Sequence, residues 1–251
     1  MKRLSPWLNG LFFLLMVTVN ALAEWLPIAG VTTGEVSAKY PTLITPAPYA
    51  FAIWGVIYLG LAAFCLWQAG CFGGGGRGWA SAVLPWFPLS CLCNAAWLVL
   101  WHYERLGWAV VVLAALLVCL IALWPRLSAA RGRDRWLVFV PFGLYLGWAS
   151  VATIVGVAAW LTSLGWQGGP LLPAGWAALM ALVAGGLSLA ALWRGNWPFS
   201  VAVCWALGAI LVRQGTDYAW QYPVILWAVA AALAVQVAAL PFVWRRLGEE
   251  H

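Results

Sequence analysis

Long apolar runs follow one another along nearly the whole chain, separated by short connections that hold most of the charge. No soluble fold can use such a pattern. Among 251 residues, 65% are hydrophobic and 8% are charged, and the mean hydropathy is +0.91. A soluble domain carries about a quarter charged residues, so this chain has too few to cover a surface in water. Lipid is the solvent that the pattern fits. The reading is an all-α, polytopic transmembrane bundle of about eight spans: 10–28, 48–69, 80–101, 107–125, 136–162, 172–194, 198–214 and 223–244. Each covers roughly 30 Å of hydrocarbon at about 1.5 Å per residue, the seventh being short.

The basic residues give an orientation. With the N-terminus cytoplasmic, the inside segments hold Lys2, Arg3, Arg77, Arg126, Arg131, Arg133, Arg135, Arg194, Arg245 and Arg246. The outside segments hold Lys39, Arg105 and Arg213. This bias places both termini in the cytoplasm and fits a bacterial inner membrane. The net charge of +6 is spread over connections rather than gathered in a patch, so no nucleic-acid partner is expected. Lys2-Arg3, an apolar stretch and Ala21-Leu22-Ala23 resemble a secretory signal; a retained first helix is the preferred reading. Six cysteines fall mostly within apolar runs, without CxxC or Cys/His spacing, and imply no metal site. The Gly73–Gly76 run precedes no Lys-Ser/Thr and is a turn rather than a phosphate loop.

Trp is the second unusual feature. Twenty-one residues exceed what two interfacial belts need, so some line an interior. Trp97 and Trp101 are four apart and share a helix face, with Asn94 one turn below. The polar, Pro-punctuated segment 30–48 is the longest outer connection, either a lid over the bundle or a plain connector.

At Thr45–Tyr58 the residues TPAPYAFAIWGVIY resemble the second-helix signature of the TspO/MBR family, the translocator or tryptophan-rich sensory proteins. Pro46, Phe51, Trp54 and Tyr58 match. Tyr49 replaces a Trp, Ala47 a Pro, and one residue is missing before Trp54. Asn94-Ala-Ala-Trp97 is similar to the family's third-helix N-x-x-W. In YLGWASVAT (145–153), Tyr145, Trp148 and Ala152 match its fifth helix. Gly156 stands where the family usually has Asn, and Leu144 where it usually has Pro. The resemblance covers about 8–162. It divides the chain into a five-helix core, 1–162, and a three-helix extension, 163–251, as in longer tryptophan-rich sensory proteins.

The resemblance implies a ligand pocket beneath the 30–48 loop, lined by Tyr49, Phe51, Trp54, Tyr58, Asn94, Trp97, Trp101, Tyr145, Trp148 and Ala152. The implied ligand is a porphyrin or other tetrapyrrole, with no obligatory cofactor. The partners expected are membrane lipid and a hydrophobic small molecule; a homodimer is left open. The function so implied is a receptor or carrier of an aromatic ligand. The alternatives are an assembly partner in a membrane complex, an alternating-access transporter and a porphyrin-degrading enzyme. A conventional hydrolase or redox site is hard to build here: neither His is expected within a span and no catalytic set is apparent. Among the outer charges, Arg213 is expected to pair with Glu24 or Asp217, to meet headgroups, or to receive a ligand carboxylate. Gln236 is expected to make an interhelical hydrogen bond.

Overall fold

The computed structural model describes residues 4–26, 28–71 and 76–249, with side chains through 243. Lys2, Arg3 and Gly73–Gly75 lie outside the described residues, as do the side chains of Arg245 and Arg246. Among the described residues there are ten α-helices and no strand. In chain order they are α1 (Ser5–Trp25), α2 (Thr33–Lys39), α3 (Ile53–Ala69), α4 (Arg77–Ala82), α5 (Trp86–His102), α6 (Leu106–Leu127), α7 (Val140–Ser163), α8 (Leu172–Trp193), α9 (Trp197–Thr216) and α10 (Pro223–Glu249). Short 3₁₀ turns precede α3 and α8, and a π-helical turn over Arg135–Phe139 leads into α7.

Seven helices are long and apolar enough to cross a membrane, built on α1, α3, α6, α7, α8, α9 and α10. They make the protein a polytopic integral membrane bundle. The remaining expected span, 80–101, is not one helix. It divides into α4 and α5 around Val83–Pro85, because a proline lacks the N–H that a continuous helix needs and its ring clashes one turn back. The 17 residues of α5 cover about 26 Å at 1.5 Å per residue. It is nevertheless central: α5 packs along α6 and α1 and buries Asn94, Ser90 and His102.

The 30–48 connection is not a plain connector. It holds α2, whose start is fixed by a capping box: Thr32 Oγ1 accepts from Glu35 N (3.3 Å) while the Glu35 carboxylate accepts from Thr32 N (2.7 Å). Asn196 caps α9 in a related way, accepting from Phe199 N at 3.2 Å. These caps start helices from polar connections where propensity alone would leave the boundary open.

Packing links all the long helices. Phe64, Phe87 and Phe142 meet edge to face at 5.1–5.7 Å and join α3, α5 and α7. α7 also packs closely on α9, and α8 on α10. The α7–α9 contact depends on Gly147. A Cβ there would come within 2.5 Å of Phe199 O and 2.9 Å of Phe199 Cα, so the two backbones approach where only glycine fits. Gln236 Nε2 donates to Gly185 O at 2.8 Å, the interhelical bond expected of a polar residue within a span.

Candidate functional site

Trp54, at the start of α3, is the centre of an aromatic assembly drawn from three helices. Its ring stacks on Tyr58 one turn below (5.4 Å between centroids, 20° between planes). It lies 6.1 Å from Trp97 of α5 and meets Tyr145 and Trp148 of α7 nearly edge-on, at 5.9 and 6.3 Å. Phe51 meets Trp148 at 6.0 Å, and Trp101 continues the row from Trp97 at 6.3 Å. Such pairs contribute about 0.5–1.5 kcal/mol each beyond their burial, so the rings hold one another in fixed orientations.

A narrow cleft opens among these rings. Phe51, Trp54, Trp97, Trp101, Trp148 and Ala152 line it, joined by Val151, Val155 and Gly156 of α7. Thr33 and Ser37 of α2, with Pro46, cover its mouth. The empty space between the walls, including the mouth, is about 480 Å³. Six of the ten residues expected at a pocket therefore line one cleft beneath the 30–48 segment.

The other four do not line it. Tyr58 and Asn94 form a buried polar floor one layer deeper. Tyr58 donates its hydroxyl to Asn20 Oδ1 (2.8 Å), and Asn20 Nδ2 donates to Asn94 Oδ1 (2.8 Å) and to Met16 O (2.9 Å). Tyr145 lies beside this floor, its hydroxyl directed at Met16 Sδ (3.8 Å). Tyr49 points away instead. It is 48% exposed and packs against Trp205 of α9, with centroids 5.5 Å apart. The 3₁₀ turn over Pro48–Ala52 turns Tyr49 outward and Phe51 inward.

Polar groups around the cleft are incompletely satisfied. Trp97 and Trp148 are 6% and 1% exposed, and among the described residues neither indole N–H has an acceptor. Asn94 Nδ2 is likewise buried without an acceptor. A buried donor left unpaired costs about 1–3 kcal/mol, so three such groups at one site form an unmet demand for acceptors.

Two sets of contacts hold the cover, and they differ in kind. Residues 43–50 are fastened to α9 by hydrogen bonds. Ala47 N donates to Ala209 O (3.1 Å), Trp205 Nε1 to Ala50 O (2.9 Å), Gln214 Nε2 to Leu43 O (2.9 Å) and Arg213 Nη1 to Thr45 O (3.4 Å). Arg213 also pairs with Asp217 at 3.0 Å, one of the partners expected of it. α2 is held at the surface. Trp101 Nε1 donates to Thr33 O (3.2 Å), while the Glu104 carboxylate accepts from Lys39 Nζ and the Tyr40 hydroxyl, both at 2.6 Å. The Lys39 and Tyr40 hydrogen bonds hold the Glu104 carboxyl below its ordinary range, and the same carboxylate pushes the Tyr40 phenol up.

His102 is the last residue of α5, 1% exposed, with Nδ1 2.8 Å from Leu98 O. A carbonyl can only accept, so Nδ1 carries the proton in that contact.

The pattern of a family described as TSPO-like protein matches residues 6–242. The chain belongs to this family. No curated protein and no solved structure matches it. The match runs from α1 into α10 and so includes the helices beyond 162. The geometry gives α9 a part in the site as well, since α9 fastens one half of the cleft's cover. The sequence reading missed Asn20, the centre of the polar floor; an Asn inside an apolar run was the available signal. It also missed the link from α9 to residues 43–50, for which the sequence holds no local signal.

Proposed function

We propose that this membrane protein of the TspO kind is a receptor or carrier for a flat, hydrophobic ligand of the porphyrin or tetrapyrrole class, bound in the Trp54 cleft. The observation that carries the reading is a ring-lined slot two of whose wall residues, Trp97 and Trp148, keep buried indole N–H groups without an acceptor. A flat aromatic ligand offers ring faces to Trp54 and Trp148 and brings carbonyl or carboxylate oxygens to the donors. The cleft is narrow, with a cavity volume of about 30 Å³ against the roughly 300–1,000 Å³ of filled ligand sites, so a ligand enters only as its walls and cover part.

A macrocycle larger than the slot requires the cover to move. Residues 43–50 are tied to α9 along their length, whereas α2 is attached by one buried side chain, Val36, by surface polar contacts and by one indole bond. α2 is accordingly the part that lifts, and the Lys39–Glu104–Tyr40 cluster is its latch. Porphyrin binding by the resembling family supports the ligand class.

The test is fluorescence titration of the purified protein with protoporphyrin IX. Trp emission should fall saturably, and Trp148→Ala should weaken the apparent affinity. Trp97→Phe and Trp148→Phe keep a ring but remove the donor; each should raise Kd roughly three- to ten-fold, the equivalent of one hydrogen bond. No saturable quenching, or quenching indifferent to changes at Trp54, Trp97 and Trp148 alike, would remove the assignment.

A further inference from the structure

An open groove runs between the start of α6 and the end of α7. Arg105, Trp108 and Val111 line it from the α6 side, Trp160 and Ser163 from α7, and Glu104 belongs to it as well. Glu104 also bonds Lys39 and Tyr40, so the groove lies on the face of the bundle that carries the cover. Its cavity volume is about 450 Å³, within the roughly 300–1,000 Å³ of small-molecule sites.

The local sequence shapes this space. A Cβ on Gly107 would lie 3.1 Å from Trp160 Nε1, so the Trp160 indole rests over the first turn of α6 where glycine leaves room. Among the described residues that indole N–H has no acceptor. Trp108 and Val111 are three apart and share one face of α6; they are 67% and 56% exposed.

Depth and charge narrow the occupant. α6 has 22 residues and rises about 33 Å at about 1.5 Å per residue, against a hydrocarbon layer of about 30 Å. Its first turn therefore stands at the membrane boundary, where Trp rings settle, and Arg105 lies just beyond, at the level of lipid phosphates. On this face Lys39 pairs with Glu104 at 2.6 Å and Arg213 with Asp217 at 3.0 Å. Arg105 is exposed, and among the described residues its guanidinium has neither a carboxylate partner nor a hydrogen bond. Because Lys39 and Glu104 cancel, Arg105 leaves the groove with one uncompensated positive charge. The start of α6 adds a positive potential of its own.

We propose that this groove binds one anionic phospholipid, its phosphate diester on the Arg105 guanidinium and the Trp160 indole N–H, and the start of an acyl chain over Trp108 and Val111. A guanidinium meets two phosphate oxygens at once. Free phosphate would gain that contact alone, whereas a lipid also covers the exposed apolar wall. A choline headgroup would bring a further cation to a site already positive. Through Glu104, the bound headgroup rests against the attachment of α2. The site is separate from the Trp54 cleft and needs no ligand there.

The test uses the full chain in phosphatidylcholine nanodiscs doped with a phosphatidylglycerol bearing a diazirine beside its glycerol backbone. After photolysis, labelled residues are mapped by mass spectrometry. Residues 105–111 and 160–163 should carry several-fold more label than residues 218–224, at the same end of the bundle. Arg105→Gln should cut that label about three- to five-fold, the equivalent of one partly solvated charge-assisted contact, and leave 218–224 unchanged. Arg105→Lys, which keeps the charge, should retain most of it. The Arg105 side chain is exposed and bonds to nothing in the protein, so neither change threatens folding. Equal labelling of the two regions would overturn the proposal, as would label indifferent to Arg105→Gln. Equal labelling of the groove by a phosphatidylcholine diazirine would remove the preference for an anionic lipid, and displacement of the label by inorganic phosphate would make this a site for free anions; either result overturns it too. No porphyrin is present in this assay, so failure of the ligand assignment would leave its result standing.

Discussion

Gly147 offers the most direct test of whether α9 is integral to the site. A methyl group there would lie 2.5 Å from Phe199 O, 2.9 Å from Phe199 Cα and 3.0 Å from Ala202 Cβ. Two of these three atoms are backbone, so no rotamer change relieves the clash and α7 and α9 must separate. Overpacking of this kind costs about 1–3 kcal/mol, and a backbone clash belongs at the upper end, near 3 kcal/mol. Replacing glycine by alanine within a helix returns about 0.5–1 kcal/mol, so Gly147→Ala should lose about 2 kcal/mol net. Gly208, in α9, has nothing within 4 Å of its would-be Cβ, and Gly208→Ala should keep the propensity gain alone. For a chain of this size, 1 kcal/mol moves Tm by roughly 2–4 °C. The two variants should therefore differ by roughly 6–12 °C in detergent, with Gly147→Ala the lower. Amide exchange at 45–50 should also quicken in Gly147→Ala, because Ala209 O and Trp205 Nε1 move with α9. Equal melting temperatures, or an unchanged exchange rate at 45–50, would refute the tight α7–α9 contact as the anchor of the cover.

Other outcomes are equally specific. Asn20→Leu strands the Tyr58 hydroxyl and the Asn94 side-chain carbonyl in the floor, and should cost about 2–6 kcal/mol at about 1–3 kcal/mol for each stranded group; thermal melts, with a double-mutant cycle against Tyr58→Phe, check it. Trp205→Phe removes the donor to Ala50 O and should raise exchange near residue 50 while costing only about 1 kcal/mol in overall stability. The α2 latch should depend on pH at both ends. The Glu104 carboxyl is lowered from 4.5, so its stabilisation is complete above that value and is lost as pH falls through the lower folded value. The Tyr40 phenol is raised from 10.0, so its contribution is complete below that value and is lost as pH rises through the higher folded value. Exchange protection of residues 33–40 should follow both limits; Glu104→Gln should weaken the acid limb and leave the share of Glu35, whose carboxyl the Thr32 hydrogen bonds also lower, and an acid limb unchanged in that variant would exclude Glu104 as a cause.

The sequence by itself determined the solvent, the helical class and most of the long helices. Those properties follow from local composition: about twenty apolar residues in succession have only a bilayer or a buried core in which to rest. Trp54, Trp97 and Trp148 could also be read as a group, because the family resemblance implies a pocket shared by their three helices. The break at Val83–Pro85 and the short helix inside 30–48 have local signals, Pro85 and the Thr32–Glu35 capping box, that hydropathy does not register. One thing lay beyond that reach. The direction of individual side chains depends on tertiary contacts. One 3₁₀ turn sends Tyr49 outward to Trp205 and Phe51 inward to Trp148, and no periodicity distinguishes them. The chain also reads as a core followed by an addition, because nothing local in residues 197–216 announces that they bond to residues 43–50. Only folding brings α9 beside the cover, more than 150 positions away in sequence, and makes the later helices part of the cleft's construction.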